Sequence, residues 1–349
     1  MTRLRGYKVC VGLAIAILCG CGFPNGAASP GPPFAAKSTP QKTATWRSFE
    51  IPGYLEGLVR AKNGDFWAAA YYASSIHTLS RITPQGKVTT HSIGVTPKEL
   101  AIDKSSNFWL TTGFDEEQIA EINSRFQLTT FKLQSNAYGA VIVGGDGNIW
   151  FPESTAVGKI SPDKTLGGTL TEYQTPSIGG SSGMVWTAPG KLWFFLTTGL
   201  ASIDAKSGAI TTYREPYDAN QGALVASGNA LWFFGSVRRR GGSTHHVLVR
   251  FDPESSTARA FALPANFGAP YTPGNLITTS DGALWYGAQH IVGKHPHQHG
   301  SGLVRFDTQL KTFTSYQAPN GYGWAWNLAA RPGGSIWATA ADAVYELAP

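Results

Sequence analysis

Cysteine is almost absent from this sequence of 349 residues. The three cysteines, Cys10, Cys19 and Cys21, all lie within the first 21 positions, so the remainder of the chain holds none. Disulfide bonds are therefore excluded beyond residue 21, although an exported protein is able to form them. The sequence also lacks a G-x-x-x-x-G-K-[ST] phosphate loop, a G-x-G-x-x-G dinucleotide fingerprint and an H-E-x-x-H zinc motif. It thus carries none of these nucleotide or zinc signatures.

Charged residues are scarce as well. They make up 14% of the sequence, against 42% hydrophobic residues, and the formal net charge is +6. Removing the first 20 residues takes away Arg3, Arg5 and Lys8, three of the 28 basic residues, and leaves 25 against 22 acidic ones. The resulting net charge of +3 is small for a chain of this length and gives no sign of a strongly basic surface, so no nucleic-acid partner is predicted.

Residues 1–20 have the form of a lipoprotein-type signal peptide. A basic start is followed by an apolar run, Val9 to Leu18, that is too short to span a bilayer as a mature helix. The run ends in Leu-Cys-Gly-Cys, which resembles a lipobox and makes Cys21 the predicted lipidation site. We predict an exported protein, lipid-anchored to the cell envelope or, if cleavage falls near residue 27 instead, secreted. Residues 21–44 are rich in Pro, Gly, Ala and Ser, which predicts a flexible tether.

A hydrophobic residue followed by tryptophan recurs seven times, at intervals of 42, 41, 43, 39, 53 and 52 residues. The tryptophans are Trp67, Trp109, Trp150, Trp193, Trp232, Trp285 and Trp337. Turn residues such as Asn63-Gly64-Asp65 precede most of them, and an apolar segment and then a Thr- and aromatic-rich segment follow. Periods near 40 to 45 residues with this order are typical of four-stranded propeller blades.

The last repeat reaches the end of the sequence without a fourth segment. Residues 45–52, TWRSFEIP, match the fourth segment of the third repeat, residues 170–176. We therefore predict an all-β fold, a seven-bladed β-propeller of residues 45–349 whose N-terminal strand completes the last blade. Such closure removes two open sheet edges. The protein is predicted to be a monomer.

The third repeat reads DGNIWFPE at residues 146–153, VGKISPD at 157–163 and LTEY at 170–173. These segments resemble the repeat of the streptogramin B (virginiamycin B) lyases, and the resemblance covers the chain from about Thr43 onward. It implies opening of a cyclic depsipeptide by elimination of the ester C–O bond, with Mg²⁺ and a histidine base on one face. In that family a histidine often stands eleven residues before the tryptophan. The residues here are Glu56, Lys98, Gly139, Ser182, Gln221, Gly274 and Trp326.

The first strand of each blade begins on the same face of a propeller on which the second strand ends. The predicted ligand-binding residues of this face are Glu56, Lys98, Tyr72, Tyr138 and Trp326. His290 follows a tryptophan-bearing strand and is the candidate catalytic base, with a water-exposed loop histidine as the alternative. Glu153 is the candidate metal ligand, with a purely structural repeat residue as the alternative. Core packing is the alternative for Trp326.

Two insertions lengthen the last intervals. Residues 237–246 include Arg238, Arg239 and Arg240, and residues 294–300 include His295, His297 and His299. The arginines are a candidate anion site and the histidines a candidate metal site, with solvated loops as the alternative. Residues 179–183 match G-x-S-x-G but fall in a predicted loop, so no hydrolase elbow is predicted.

Two functions agree with these features. The first is a metal-assisted C–O lyase acting on a cyclic depsipeptide or lactone, as the resemblance implies. The second is an envelope-associated propeller that binds a small-molecule or peptide ligand on one face without chemistry, which the absence of histidine at the aligned positions favours.

Overall fold

The structure is a computed structural model, and it describes most of the chain beyond residue 32. The described residues are 33–39, 44–72, 76–113, 116–137, 139–163, 166–178, 183–214, 217, 219–238, 244–264, 275–291, 299–319, 327–340 and 343–348. They form 29 β-strands and no α-helix. Within these ranges, no helix has the length and apolar character needed to cross a membrane.

The strands form seven antiparallel blades of four, as the tryptophan repeat predicts. The first strands of blades 1 to 7 are β3 (Tyr54–Arg60), β7 (Pro97–Ile102), β11 (Ile142–Val143), β15 (Met184–Thr187), β19 (Ala219–Ser227), β23 (Leu276–Thr278) and β27 (Leu328–Ala330). The second strands are β4 (Phe66–Tyr72), β8 (Phe108–Thr112), β12 (Ile149–Pro152), β16 (Lys191–Leu196), β20 (Ala230–Arg238), β24 (Leu284–Ile291) and β28 (Ile336–Ala340). The third strands are β5 (Ile76–Ile82), β9 (Gln118–Ile122), β13 (Ala156–Pro162), β17 (Gly199–Asp204), β21 (Thr244–Asp252), β25 (His299–Asp307) and β29 (Ala343–Ala348). The fourth strands are β6 (Val88–Ser92), β10 (Leu128–Lys132), β14 (Gly168–Gln174), β18 (Ile210–Tyr213), β22 (Thr257–Ala262), β26 (Thr312–Gln317) and, for blade 7, β2 (Thr45–Glu50).

The ring closes as the sequence predicts. β2 pairs antiparallel with β29 over six residues, from Thr45 opposite Ala348 to Glu50 opposite Ala343. The first strand of the domain therefore supplies the outer strand of the last blade, and the two ends of the ring hold each other.

Residues 33–39, within the interval predicted as a tether, pair with the ring in the structure. β1 (Lys37–Thr39) runs parallel to β26 and gives blade 6 a fifth strand. Before it, the main chain of Phe34 exchanges hydrogen bonds of 2.9 and 3.1 Å with Ala260 and Ala262 of β22. The N-terminal segment thus covers the outer strands of blades 5 and 6 before it forms the outer strand of blade 7.

Aromatic side chains fill the space between neighbouring blades. The ring of Trp337 lies between Phe49 of β2 and Phe66 of β4, with ring centres 5.0 and 4.0 Å apart, and so joins blades 7 and 1. Six of the seven repeat tryptophans are buried, and Trp67 is partly buried. The repeat therefore marks the interblade core, where large apolar rings are removed from water.

Candidate functional site

Two first strands bulge at charged residues on the face where the first strands begin and the second strands end, here named the upper face. In blade 1 the pairing of β3 with β4 gains one extra residue at Glu56. In blade 2 the pairing of β7 with β8 gains an extra residue at Lys98 and Glu99. A bulge redirects a side chain out of the regular alternation, and bulges are frequent beside functional sites.

The bulged residues meet across the two blades. Lys98 Nζ lies 3.0 Å from Glu56 Oε1, and it also lies 5.3 Å from the ring centre of Tyr71. The Tyr71 hydroxyl donates a hydrogen bond to Glu56, and burial together with that carboxylate raises the pKa of Tyr71. The ring of Tyr54 packs 5.5 Å from that of Tyr71. Glu56, Lys98, Glu99, Tyr71 and Tyr54 are called the Glu56 cluster below.

Glu99 is the member of the cluster whose carboxyl group forms no ion pair with any of the described residues. Burial, and to a smaller extent the neighbouring Glu56, raise its pKa to about 8, because Lys98 offsets only part of the two effects. Solvent still reaches part of the side chain. A pKa of about 8 keeps the Glu99 carboxyl group largely protonated at pH 7.

Hydrogen bonds link the first strands of neighbouring blades around this face. Asn275 of blade 6 donates to Asn327 of blade 7 at 3.4 Å, and the Asn327 amide donates to the main-chain carbonyl of Glu56. On the other side, the Glu99 N–H donates to Thr111 Oγ1 at 3.0 Å, and that hydroxyl donates to the carbonyl of Gly139 in the segment that precedes β11 of blade 3. The cluster is therefore fixed by contacts from both sides, as a binding site requires.

Exposed apolar side chains concentrate beside the cluster. Within the described ranges, the large hydrophobic residues that are exposed are Phe34, Tyr54, Tyr72, Ile76, Leu128 and Leu310. Three of the six, Tyr54, Tyr72 and Ile76, lie at the upper end of blade 1, with exposed fractions of 63%, 58% and 52%. Tyr72 lies opposite Ile76 at the end of the β4–β5 pair. Exposed apolar groups next to charged ones are typical of a binding surface.

Glu153 lies in a different environment. It is 1% exposed, and its Oε2 accepts a hydrogen bond of 3.3 Å from Ser135. Burial and the adjacent carboxyl of Glu172 raise its pKa, and Oε1 has no partner among the described residues. The Glu172 carboxylate accepts a bond of 3.2 Å from the Gln134 N–H. Through its hydrogen bond with Ser135, Glu153 thus holds the segment between blades 2 and 3, and it is not part of the Glu56 cluster.

The resemblance implies Mg²⁺, and the Glu153–Glu172 pair offers oxygen donors of the kind that Mg²⁺ prefers. The Glu153 side chain of this pair is buried and that of Glu172 is half-buried. Across the described ranges, no group of three or more His, Cys, Asp and Glu residues is placed to hold a metal ion.

For the other residues predicted from the sequence, the structure describes only the main chain or nothing. His290 lies in β24 opposite Gly300, and its side chain is outside the described residues. Tyr138, Trp326 and Cys21 are outside them altogether, as are Arg239, Arg240, His295 and His297. Arg238 ends β20 and His299 begins β25.

Sequence reasoning named Glu56, Lys98 and Tyr72 but missed Glu99, Tyr71 and Tyr54. A signal for Glu99 was available one position further along the repeat. Ten residues before the seven tryptophans stand Gly57, Glu99, Ala140, Gly183, Gly222, Asn275 and Asn327. Glu99 is the one acid among them.

No protein-family model matches this sequence, and neither does any curated protein. Among solved structures, the propeller is similar to the extracellular domain of the putative hybrid two component system BT4673 from B. thetaiotaomicron, with a TM-score of 0.60 and 12% identity over 88% of this chain and 43% of that chain. This chain therefore spans less than half the length of that one.

The propeller is also similar to YCF48 bound to D1 peptide, with a TM-score of 0.60 and 9% identity over 91% of this chain and 98% of that chain. YCF48 from Cyanidioschyzon merolae gives a TM-score of 0.59 and 11% identity over 86% and 98%. At these identities the similarity shows the propeller fold alone.

Proposed function

We propose that this protein is an exported binding protein whose upper face holds a peptide ligand over the Glu56 cluster. The observation that carries the proposal is the coincidence, on one blade end, of redirected charged residues with exposed tyrosine rings. Tyrosine supplies a large amphipathic contact with few rotatable bonds, so it binds at low entropic cost. One similar structure, YCF48 bound to D1 peptide, supports a peptide as the class of ligand.

Selection from a random hexapeptide library tests this proposal. The full chain, immobilised, is expected to retain a set of related sequences through repeated rounds. A matched selection uses the double variant Tyr54→Ser, Tyr72→Ser, which keeps the fold because both side chains are exposed. Retention of the same sequences by both proteins, or of no sequence by either, contradicts the proposal.

Lyase chemistry is a second candidate, and one observation favours it. His290 stands five residues after Trp285, which is the repeat position that Tyr72 occupies after Trp67 at the upper end of β4. A histidine there would remove the proton next to an ester, and Mg²⁺ would supply an electrophile for the developing negative charge. Of the Glu153–Glu172 pair, which offers oxygen donors for a metal, the Glu153 side chain is buried and Glu172 is half-buried.

Incubation with a streptogramin B and Mg²⁺, with mass detection of a linearised product, tests the lyase candidate. Activity is expected to fall at least ~10²-fold in His290→Ala, the usual cost of removing a general base, and to disappear in excess EDTA. Replacement of Ser181 is expected to have no effect. Absence of a linearised product with the unaltered protein contradicts the lyase candidate and leaves the binding proposal unaffected.

A further inference from the structure

We infer that the peptide bound on the upper face presents a positive charge, a lysine or arginine side chain, to the carboxyl group of Glu99. The inference rests on the proposed function and specifies the ligand of the same site. It is carried by the bulge at Lys98 and Glu99, by the absence of an ion-pair partner for Glu99 among the described residues, and by the Tyr71 and Tyr54 rings beside Lys98.

The structural role of a buried glutamate in this fold is shown by Glu121. Its carboxylate is fully buried and accepts hydrogen bonds of 2.8 Å from Asn107 and 2.8 Å from the Gly167 N–H. For Glu99, by contrast, the described residues provide no hydrogen-bond donor to the carboxyl group, and the Lys98 ammonium is directed to Glu56. The Glu99 carboxyl group, which solvent reaches in part, therefore remains available to a ligand that supplies a positive charge.

Comparison with blade 7 shows that the fold does not require an acidic residue at the position of Glu99. Asn327 and Glu99 occupy equivalent positions, and each main-chain N–H donates to a threonine of the second strand, Thr339 at 3.1 Å and Thr111 at 3.0 Å. In blade 7 the side-chain amide of Asn327 donates a hydrogen bond to the main-chain carbonyl of Glu56 in the neighbouring blade 1. An amide at Glu99 would therefore fit the scaffold equally well, and the acid adds a negative charge.

The surroundings favour a cation over an anion. Glu56 and Glu99 face one ammonium group, that of Lys98, so an anionic ligand would meet two carboxyl groups. The Lys98 ammonium lies 5.3 Å from the centre of the Tyr71 ring, and the exposed ring of Tyr54 packs against Tyr71 and extends this aromatic surface. Carboxylate and aromatic faces together are the usual recognition chemistry of lysine and arginine.

Binding of a cation also requires Glu99 to ionise. Because burial holds the pKa of Glu99 at about 8, ionisation at pH 7 releases close to one proton per peptide bound. The affinity is therefore expected to rise by up to about tenfold per pH unit below pH 8. Among the described residues, the charged groups that act on Glu99 are Glu56 and Lys98, and Tyr71 beside them stays protonated because its pKa is raised.

The hexapeptide selection separates this inference from the proposed function. Sequences retained by the unaltered chain are expected to contain lysine or arginine at one fixed position, and the preference is expected to disappear with Glu99→Gln. Retained sequences that are neutral or acidic there overturn the inference and leave the proposed function standing. Retention of nothing overturns both.

Calorimetry on the best retained peptide gives the second readout. In two buffers of different ionisation enthalpy at pH 7, the unaltered chain is expected to release close to one proton and Glu99→Gln none, with affinity lower by about tenfold or more. Glu254→Gln, which removes an exposed acid of blade 5, is the matched control and is expected to behave as the unaltered chain. Equal proton release by Glu99→Gln and the unaltered chain overturns the inference, provided that both unfold at the same temperature at pH 5.

Discussion

Lys98 Nζ lies 3.0 Å from Glu56 Oε1, and this ion pair joins the first strands of two neighbouring blades at the point where both strands bulge. A bulge takes a side chain out of the regular alternation of a strand, and each member of the pair lies at such a bulge. The pair therefore ties the upper ends of blades 1 and 2 to each other.

A double-mutant cycle on this pair is expected to give a coupling free energy of about 1 kcal/mol, because both side chains are only partly buried. The variants are Glu56→Gln, Lys98→Met and their combination, measured by urea unfolding. Salt at 1 M is expected to reduce the coupling, since screening weakens partly exposed pairs. Additive effects of the two substitutions would show that the contact contributes nothing.

Glu99 is expected to make the stability of the protein fall as the pH rises. Between the ordinary carboxyl pKa near 4.5 and the raised value of about 8, the native state holds a proton that the unfolded chain has released, so stability decreases across that window. Glu99→Gln removes this loss and is expected to be more stable than the unaltered chain by about 2 kcal/mol at pH 9, less than the full shift implies because solvent screens the site. Below pH 4.5 the two are expected to be equal. A difference that is constant with pH would contradict this account.

Phe49 tests the closure of the ring. It stacks on Trp337, is 7% exposed and lies in β2, so Phe49→Ala is expected to lower the free energy of unfolding by about 3 to 5 kcal/mol. Phe34→Ala is the control, because that ring is 55% exposed and its loss is expected to cost less than about 1 kcal/mol. Deletion of residues 1–52 is expected to leave the outer edge of β29 without a partner strand and the product prone to aggregation. Equal effects of the two substitutions would argue against closure by β2.

The lipid anchor at Cys21 stays a prediction of the sequence. Mass spectrometry of the native N-terminus is expected to find a diacylglyceryl group and an N-acyl chain on Cys21, enough for stable anchoring. An unmodified chain that begins beyond Cys21 would refute it.

The fold was predictable because its signal is repeated seven times. The tryptophan spacing predicts the blades, and the likeness of residues 45–52 to a fourth strand predicts the closure by β2. The β1 pairing with β26 was not predictable, because a Pro- and Ala-rich segment acquires a strand partner only once the ring presents an outer edge.

The sequence predicts which residues lie on the upper face, but it does not predict which of their side chains contact one another. Glu56 and Lys98 follow from their place in the repeat, whereas the roles of Glu99 and Tyr71 depend on bulges and on packing between blades. Glu153 occupies its repeat position, and its side chain lies over Gly158, beside the Phe151 ring and the Glu172 carboxyl group. Its direction depends on that side-chain packing.

The central claim is that the upper end of blades 1 and 2 binds a peptide, and titration of one selected hexapeptide into two matched double variants tests it most directly. Tyr54→Ser with Tyr72→Ser removes two exposed rings from the proposed site, and Phe34→Ser with Leu310→Ser removes two exposed apolar groups elsewhere. The account predicts an affinity at least about tenfold weaker for the first pair and unchanged for the second. Equal affinities for the two double variants would contradict it.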